Sequence, residues 1–458
     1  MIDLLYKICA FLVALGVLVV IHELGHYWVA RWCKVKVLRF SVGFGKPLKT
    51  WVRGADKTEW VVAAVPLGGY VKMLDEREGP VAPAELARAF NRQNVWKRIA
   101  IVIAGPAANL LLAIVLYWGL FMHGVPGMRP VVGAPVAGSA SAKAGFVAGD
   151  TILGVGEEAV PTWQEAHWLI VKAAMRGESV AVKVLTASDE PQSRLLEMSG
   201  LTKADLDGDV LTKLGLTRFK VPVEIQSIRA GSAAERAGLK AGDILNEINS
   251  VRVEGIEQAI GLIRESAGKS IVVELRREGS GVVTLPVTPD AVTVTEGQKE
   301  IKIGRIGADL GAMKQAVEKY RVVVSYGPLD SIPHAVYKTW DMSVFSLQML
   351  GKMVVGELSL KNLSGPITIA DYAGKSAKVG WISYLVFLAL ISISLGVLNL
   401  LPIPLLDGGH LMYYIVEIFK GAPVSEQFME IGQRVGMGVL LLMMAFALYN
   451  DVNRLISG

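Results

Sequence analysis

Four long apolar runs stand out along the chain, at about 4–30, 99–122, 380–406 and 435–449. The second and third contain no charged residue, and the first three are long enough for a helix to cross the roughly 30 Å of a bilayer core. The fourth, rich in Leu and Met, is shorter than the roughly 20 residues that a perpendicular span needs. Between about 123 and 378 the pattern changes to short stretches of alternating apolar and polar residues, such as Ile244, Leu245, Ile248 and Val251, which predict β-strands. A helical apolar stripe follows at Ile332, Ala335, Val336, Trp340, Val344, Phe345 and Leu347, with Trp and Lys at its margins. Such a stripe suits a helix lying in a membrane interface, and also ordinary packing.

The middle region repeats itself with an offset of 93 residues. Gly138-Ser139-Ala140 recurs as Gly231-Ser232-Ala233, Ala144-Gly145 as Ala237-Gly238, and Ala148-Gly149-Asp150 as Ala241-Gly242-Asp243. Two small tandem domains are therefore expected.

Composition agrees with the membrane reading. Of 458 residues, 52% are hydrophobic, and the mean hydropathy of +0.43 exceeds that of an ordinary soluble chain. The net charge of +5 comes from no basic run or basic helix, so a nucleic-acid partner is not expected. The basic residues mark topology instead: residues 31–98 hold fourteen Lys/Arg against six Asp/Glu, the signature of a cytoplasmic loop. Both termini and the stretch 123–378 then face away from the cytoplasm. Cys9 and Cys33 are poorly placed for a disulfide. The N-terminal run is not expected to be a cleaved signal, because it lacks a small-residue cleavage pattern and its apolar character resumes after His26.

The first run contains His22-Glu23-Leu24-Gly25-His26. Residues four apart share one face of a helix, so both imidazoles can approach one ion while Glu23 stands beside it. Zinc suits imidazole ligands, and an adjacent Glu can take the proton of an attacking water. An acidic side chain within a membrane helix costs about 2.5–3.5 kcal/mol on insertion scales, so it is kept there for a partner or a function. A proton relay is the competing use of such residues.

A third ligand is expected from the end of the third run, Leu400-Leu401-Pro402-Ile403-Pro404-Leu405-Leu406-Asp407-Gly408-Gly409-His410. Two prolines followed by two glycines cannot continue a regular helix, and irregular backbone at membrane depth survives only inside protein or along a wet cavity. Running inward, this segment brings Asp407 to the depth of His22 and His26. Asp407 also suits the cap of a helix starting near Gly408; paired with the first run, the ligand reading is preferred. His410 is near enough for a supporting contact, whereas His123, His167 and His334 lie off any ligand spacing.

These motifs, together with Ser41–Gly45, Pro66–Met73, Gly105-Pro106-Ala107-Ala108-Asn109, Leu363–Pro366 and Asn399–His410, resemble the site-2 protease family of intramembrane zinc metalloproteases over nearly the whole chain. The resemblance implies one zinc ion per chain held by His22, His26 and Asp407, with Glu23 as catalytic base. It implies that Asn399 holds the unwound substrate, and that residues 37–73 form a membrane-associated β region. There Gly43 and Gly45 would permit close backbone approach to substrate, and Gly68-Gly69 a bend. Asn399 also suits a hydrogen bond to a neighbouring helix.

The pattern Ala237-Gly-Leu-Lys-Ala-Gly-Asp-Ile-Leu, with Ile248-Asn249 after it, resembles the PDZ family. Such domains bind extended peptides at a sheet edge, but here a bulky cover that restricts access to the membrane site is the preferred role. The expected fold is an α-helical polytopic membrane protein, with four transmembrane helices and a membrane-associated β region, plus two tandem PDZ-like α/β domains. The expected divisions are 1–127 (first two spans and β region), 128–220 and 221–310 (the PDZ-like domains), 311–379 (linker with interfacial helices) and 380–458 (last two spans). The family further implies a bacterial inner membrane, with the PDZ-like domains periplasmic and the active site toward the cytoplasm. Implied substrates are single-pass membrane proteins, such as an anti-sigma factor already cut by a site-1 protease, with signal-peptide remnants as a second class.

Overall fold

The computed structural model describes residues 2–206, 208–296 and 299–457. The chain forms two compact units, one of Met1–Val125 with Val324–Gly458 and the other of Pro126–Val323.

The first unit holds helices α1 (Ile2–Trp32), α2 (Val95–His123), α3 (Ser331–Val354), α4 (Pro366–Val379), α5 (Trp381–Asn399), α6 (Asp407–Lys420) and α7 (Glu426–Ser457), with strands β1 (Val37–Arg53) and β2 (Thr58–Met73) after α1. Among the described residues, α1, α2, α5 and α7 are long and apolar enough to cross a membrane. The third apolar run ends its helix at Asn399. Residues 400–406 are irregular, and a new helix starts at Asp407, because Pro402 and Pro404 remove ladder donors. The fourth run proves longer than its hydropathy shows. Glu426, Glu430 and Arg434 at one end, and Asn450, Asp451 and Arg454 at the other, continue the same helix.

The polar residues at the C-terminal end have partners. Asp451 is buried and accepts from the backbone N–H groups of Gly365 (3.0 Å), Ile367 (2.8 Å) and Thr368 (3.2 Å), while Asn450 donates to the carbonyls of Leu360 and Leu363. A carboxylate from α7 thus satisfies the orphan donors at the start of α4, whose Pro366 occupies the first turn. The stripe on α3 divides. Ala335 is buried against Tyr117 and Leu120 of α2, whereas Ile332, Val336, Trp340 and Leu347 stay exposed, as an interfacial helix would have them.

β1 and β2 are long and irregularly paired. Arg39, Phe40, Ser41 and Val42 each have two partners, Lys72 to Gly69 on one side and Glu59 to Val62 on the other, while Lys49–Arg53 pairs back onto 58–62. Gly43 and Gly45 make the reversal possible with φ of 93° and 87°, conformations that side chains resist. Residues 69–73 pair on one side only, and among the described residues no further strand covers their other edge.

In the second unit (Pro126–Val323) the repeated sequence motifs take up the same local backbone. Ser139 and Ser232 each cap a one-turn helix with nearly identical backbone angles. Gly138 and Gly231, Gly145 and Gly238, and Gly149 and Gly242 all have positive φ. Strand Thr151–Val155 lies in one sheet with 180–185 and 191–196; strand Ile244–Ile248 lies in another with 223–228, 271–277, 281–287 and 308–312. Each sheet has its own apolar core, centred on Ile152, Ile170 and Val182 in the first domain and on Ile225, Ile248 and Leu275 in the second.

The repeated aspartates do the same job. Asp150 accepts from the Val147 N–H and faces Arg194; Asp243 accepts from the Lys240 N–H and receives two bonds from Arg277, at 2.8 and 2.7 Å. Burial alone would raise the Asp243 pKa, but Arg277 and the Lys240 N–H hold it below the usual carboxylate value. A depressed folded pKa gives stability that is present above the unfolded value of about 3.9 and lost as pH falls through the folded one. Asp243→Asn is expected to cost the second domain about 3 kcal/mol at neutral pH by stranding Arg277 and to remove this residue's share of the acid lability. Amide exchange of Ile244–Ile248 and Ile271–Arg277 in the full chain, measured against pH, checks both effects.

Candidate metal centre

α1 carries His22, Glu23 and His26 one turn apart, and its neighbour α2 approaches closely because two glycines leave room. A Cβ on Gly25 would stand 2.8 Å from Ala108 Cβ. One on Gly105 would stand 2.6 Å from His26 Cε1 and 2.8 Å from His22 Cε1. The two imidazoles therefore lie directly against the α2 backbone, beside Pro106. The Gly408-Gly409 pair does the same for the broken segment. A Cβ on Gly409 would meet the backbone of Ile403 and Pro404, so only glycine lets α6 fold back on residues 400–406. α6 is tied to α2 in turn by Arg98, which donates two hydrogen bonds to the Glu417 carboxylate and lies 4.8 Å from the Tyr414 ring centre.

This packing brings three donor atoms together. His22 Nε2 and His26 Nε2 are 3.2 Å apart, and Asp407 Oδ2 lies 3.2 Å from the first and 3.5 Å from the second. Donors of a tetrahedral site with bonds of about 2.0 Å are separated by about 3.3 Å, so the trio fits three corners of such a site. Among the described residues it is the one cluster of His, Cys, Asp and Glu with a metal-binding spacing. His26 Nδ1 donates to the Ile101 carbonyl at 2.8 Å, which leaves its Nε2 lone pair facing the cluster. Asp407 occupies the first position of α6 and its side chain caps no backbone N–H there; the cap residue is Leu406. Leu405, with φ of 95°, carries the strain of turning Asp407 toward α1.

The cluster opens on a cavity of about 1040 Å³. Glu23, Asn399 and His410 line it, as do Phe44, Gly68 and the free-edged segment Gly69–Met73 of β2. Glu23 is buried, with its Cγ 3.0 Å from where a Gly69 Cβ would stand. Gly43 and Gly45 are not on the cavity wall. They shape the turn that carries Phe44 to it. Gly105 and Asn109 touch the histidines, contacts that no spacing along the chain predicts because they arise only where α1 crosses α2.

The family model of peptidase family M50 matches residues 10–443. A zinc metalloprotease of Ralstonia nicotianae is 44% identical over 98% of both chains. The regulator of sigma-E protease RseP of Salmonella typhimurium is 40% identical over 99% of this chain and 100% of its own, and RseP of Escherichia coli K12 is 40% identical with the same coverage. The chain belongs to peptidase family M50, the site-2 proteases. It is a metalloprotease, and its cofactor is zinc.

The close approach at Gly105 makes a sharp comparison. Gly105→Ala is expected to displace the imidazoles and lower the zinc content of the purified protein. Gly119→Ala on the same helix, where an added Cβ meets nothing within 4 Å, should leave it unchanged. Metal analysis, with helical content followed by circular dichroism, measures the difference.

Proposed function

We propose that His22, His26 and Asp407 hold the zinc ion and that Glu23 is the general base in hydrolysis of a peptide bond at membrane depth. The observation that carries this reading is the convergence of the three donor atoms to within 3.5 Å of one another in a cavity shared with Glu23 and a free strand edge. Bound there, zinc would supply Lewis acidity toward a peptide carbonyl and its attacking water. Glu23, next to His22 on the same turn, is placed for its carboxylate to accept a proton from an attacking water and to return it to the leaving nitrogen.

The substrate must first present an extended backbone, because a helix keeps its carbonyls in its own ladder. Gly69–Met73 offers unpaired backbone groups along the cavity, and a substrate segment added as a strand there would lie beside the catalytic groups. Asn399, which lines the same cavity at the end of α5, holds the unwound segment through its side-chain amide. Gly43 and Gly45 act at one remove, by setting the turn that presents Phe44.

The names of the RseP relatives supply a setting. The substrate in that setting is a single-pass membrane protein such as an anti-sigma factor, already shortened by a site-1 protease, with signal-peptide remnants as a second class. The Lys/Arg excess of loop 31–98 supports a site on the cytoplasmic side, and the RseP relatives support a bacterial inner membrane as its setting. In the second unit, the two duplicated domains act as PDZ-like modules. Their leading role is that of a bulky cover restricting access to the membrane site; the alternative, peptide binding, has a cavity of about 1010 Å³ lined by residues 305–310 and by Ile260, Ile263 and Arg264 of the helix Ile256–Arg264.

Glu23→Gln is expected to keep stoichiometric zinc while lowering cleavage of a reporter span by about 10²- to 10⁴-fold. Turnover at the parent rate would remove Glu23 from the role of base. His22→Ala and Asp407→Ala should each lose zinc and activity together. Retention of tightly bound zinc in either variant would overturn the ligand assignment.

A further inference from the structure

Asn109 is 1% exposed and projects from α2 toward the back of His22. Its Nδ2 lies 3.3 Å from His22 Nδ1, and its Oδ1 is buried with no hydrogen-bond partner. The residue is fixed from behind, since its own carbonyl accepts a 2.7 Å bond from the Ser392 hydroxyl of α5, itself fully buried.

The two orientations of an amide have the same shape and differ only in which end donates. With Nδ2 toward His22, the imidazole must accept at Nδ1 and so carry its hydrogen on Nε2. That hydrogen would point into the cluster, where Nε2 meets His26 Nε2 and Asp407. That hydrogen would occupy the lone pair that a metal needs. With Oδ1 toward His22, the oxygen gains a donor, Nδ1 carries the hydrogen, and the Nε2 lone pair faces the cluster. His26 already has this arrangement, because the Ile101 carbonyl at its Nδ1 can only accept.

We infer that Asn109 is a positioning residue for His22: its amide oxygen accepts the Nδ1 hydrogen and fixes the tautomer and ring orientation in which Nε2 binds zinc. The inference rests on the reading of His22 as a zinc ligand. It gives the two histidines matched supports from one helix, a backbone carbonyl for His26 and a side-chain carbonyl two turns further along for His22. Carbonyl and carboxylate partners of this kind typically tune metal affinity by about 10- to 100-fold.

The test is zinc affinity of the full-length protein in detergent, measured by competition with a chromophoric chelator. Asn109→Leu, similar in size and without an acceptor, should weaken zinc binding by about 10- to 100-fold. Asn109→Asp, which presents only acceptor oxygens at the same reach, should hold zinc at least as tightly as the parent. The cobalt-loaded proteins should divide in the same way, with tetrahedral absorption kept in the Asp variant and reduced in the Leu variant. A packing role alone predicts the reverse order, since Leu keeps the volume and Asp buries a charge. Parent-like affinity in the Leu variant, or equal weakness in Leu and Asp, overturns the inference. If the Leu variant fails to fold, Asp against Ala decides by the same criterion: tighter binding by Asp upholds it and equality overturns it. His22→Ala separates the underlying assignment, because undiminished zinc binding there refutes His22 as a ligand whatever Asn109 does.

Discussion

The constraint on which the structure turns is the meeting of one carboxylate and two imidazoles in an apolar helical bundle. An ionised carboxylate without a partner is prohibitively expensive in such surroundings. Asp407, His22 and His26 come within 3.5 Å of one another, and a divalent cation is the partner that their shared geometry accommodates. The rest of the membrane-embedded unit delivers these groups to one place. α1 supplies two donors through helical periodicity alone, while α5 has to stop at Asn399 so that α6 can begin with the third.

That delivery depends on the absence of side chains as much as on their presence. Gly25 and Gly105 let α1 and α2 approach until the imidazoles touch the α2 backbone, and Gly408 and Gly409 let α6 fold against the irregular segment before it. The Arg98–Glu417 pair and the Asp451 contacts with the start of α4 then tie the helices that glycine lets approach or that leave donors unsatisfied. Packing of small residues combined with a few polar ties is how helices associate where water offers no hydrophobic drive.

Much of this was legible along the chain because it obeys short-range rules. The spacing of His22 and His26 is a statement about one helix. The Pro-rich break before Asp407 is a statement about one segment, and the offset of 93 between Asp150 and Asp243 survives folding as a repeated turn and ion pair. What was not legible depends on crossings between elements. Asn109 and Gly105 acquire meaning only where α2 passes α1. The double pairing of Arg39–Val42 arises because β1 and β2 each fold over, which alternation cannot reveal, and for that reason Gly43 and Gly45 lie at a turn while Phe44 and Gly69 reach the cavity. The length of α7 was hidden for another reason: Asn450 and Asp451 near its end are polar because they have polar partners, and Glu426, Glu430 and Arg434 at its start are exposed, so hydropathy stops counting before the helix does.

The uncovered edge of β2 has one further consequence. A row of backbone donors and acceptors reads the main chain and is nearly blind to side chains, so a proteolytic site beside it would sort substrates by how readily they unravel. In the function proposed above, membrane segments interrupted by glycine or proline would surrender their internal ladder cheaply and be cut, while uniform leucine-rich segments would pass by intact. An open strand invites promiscuous association elsewhere in proteins; in that proposed function, one set along a cavity would become a gauge of helical strength.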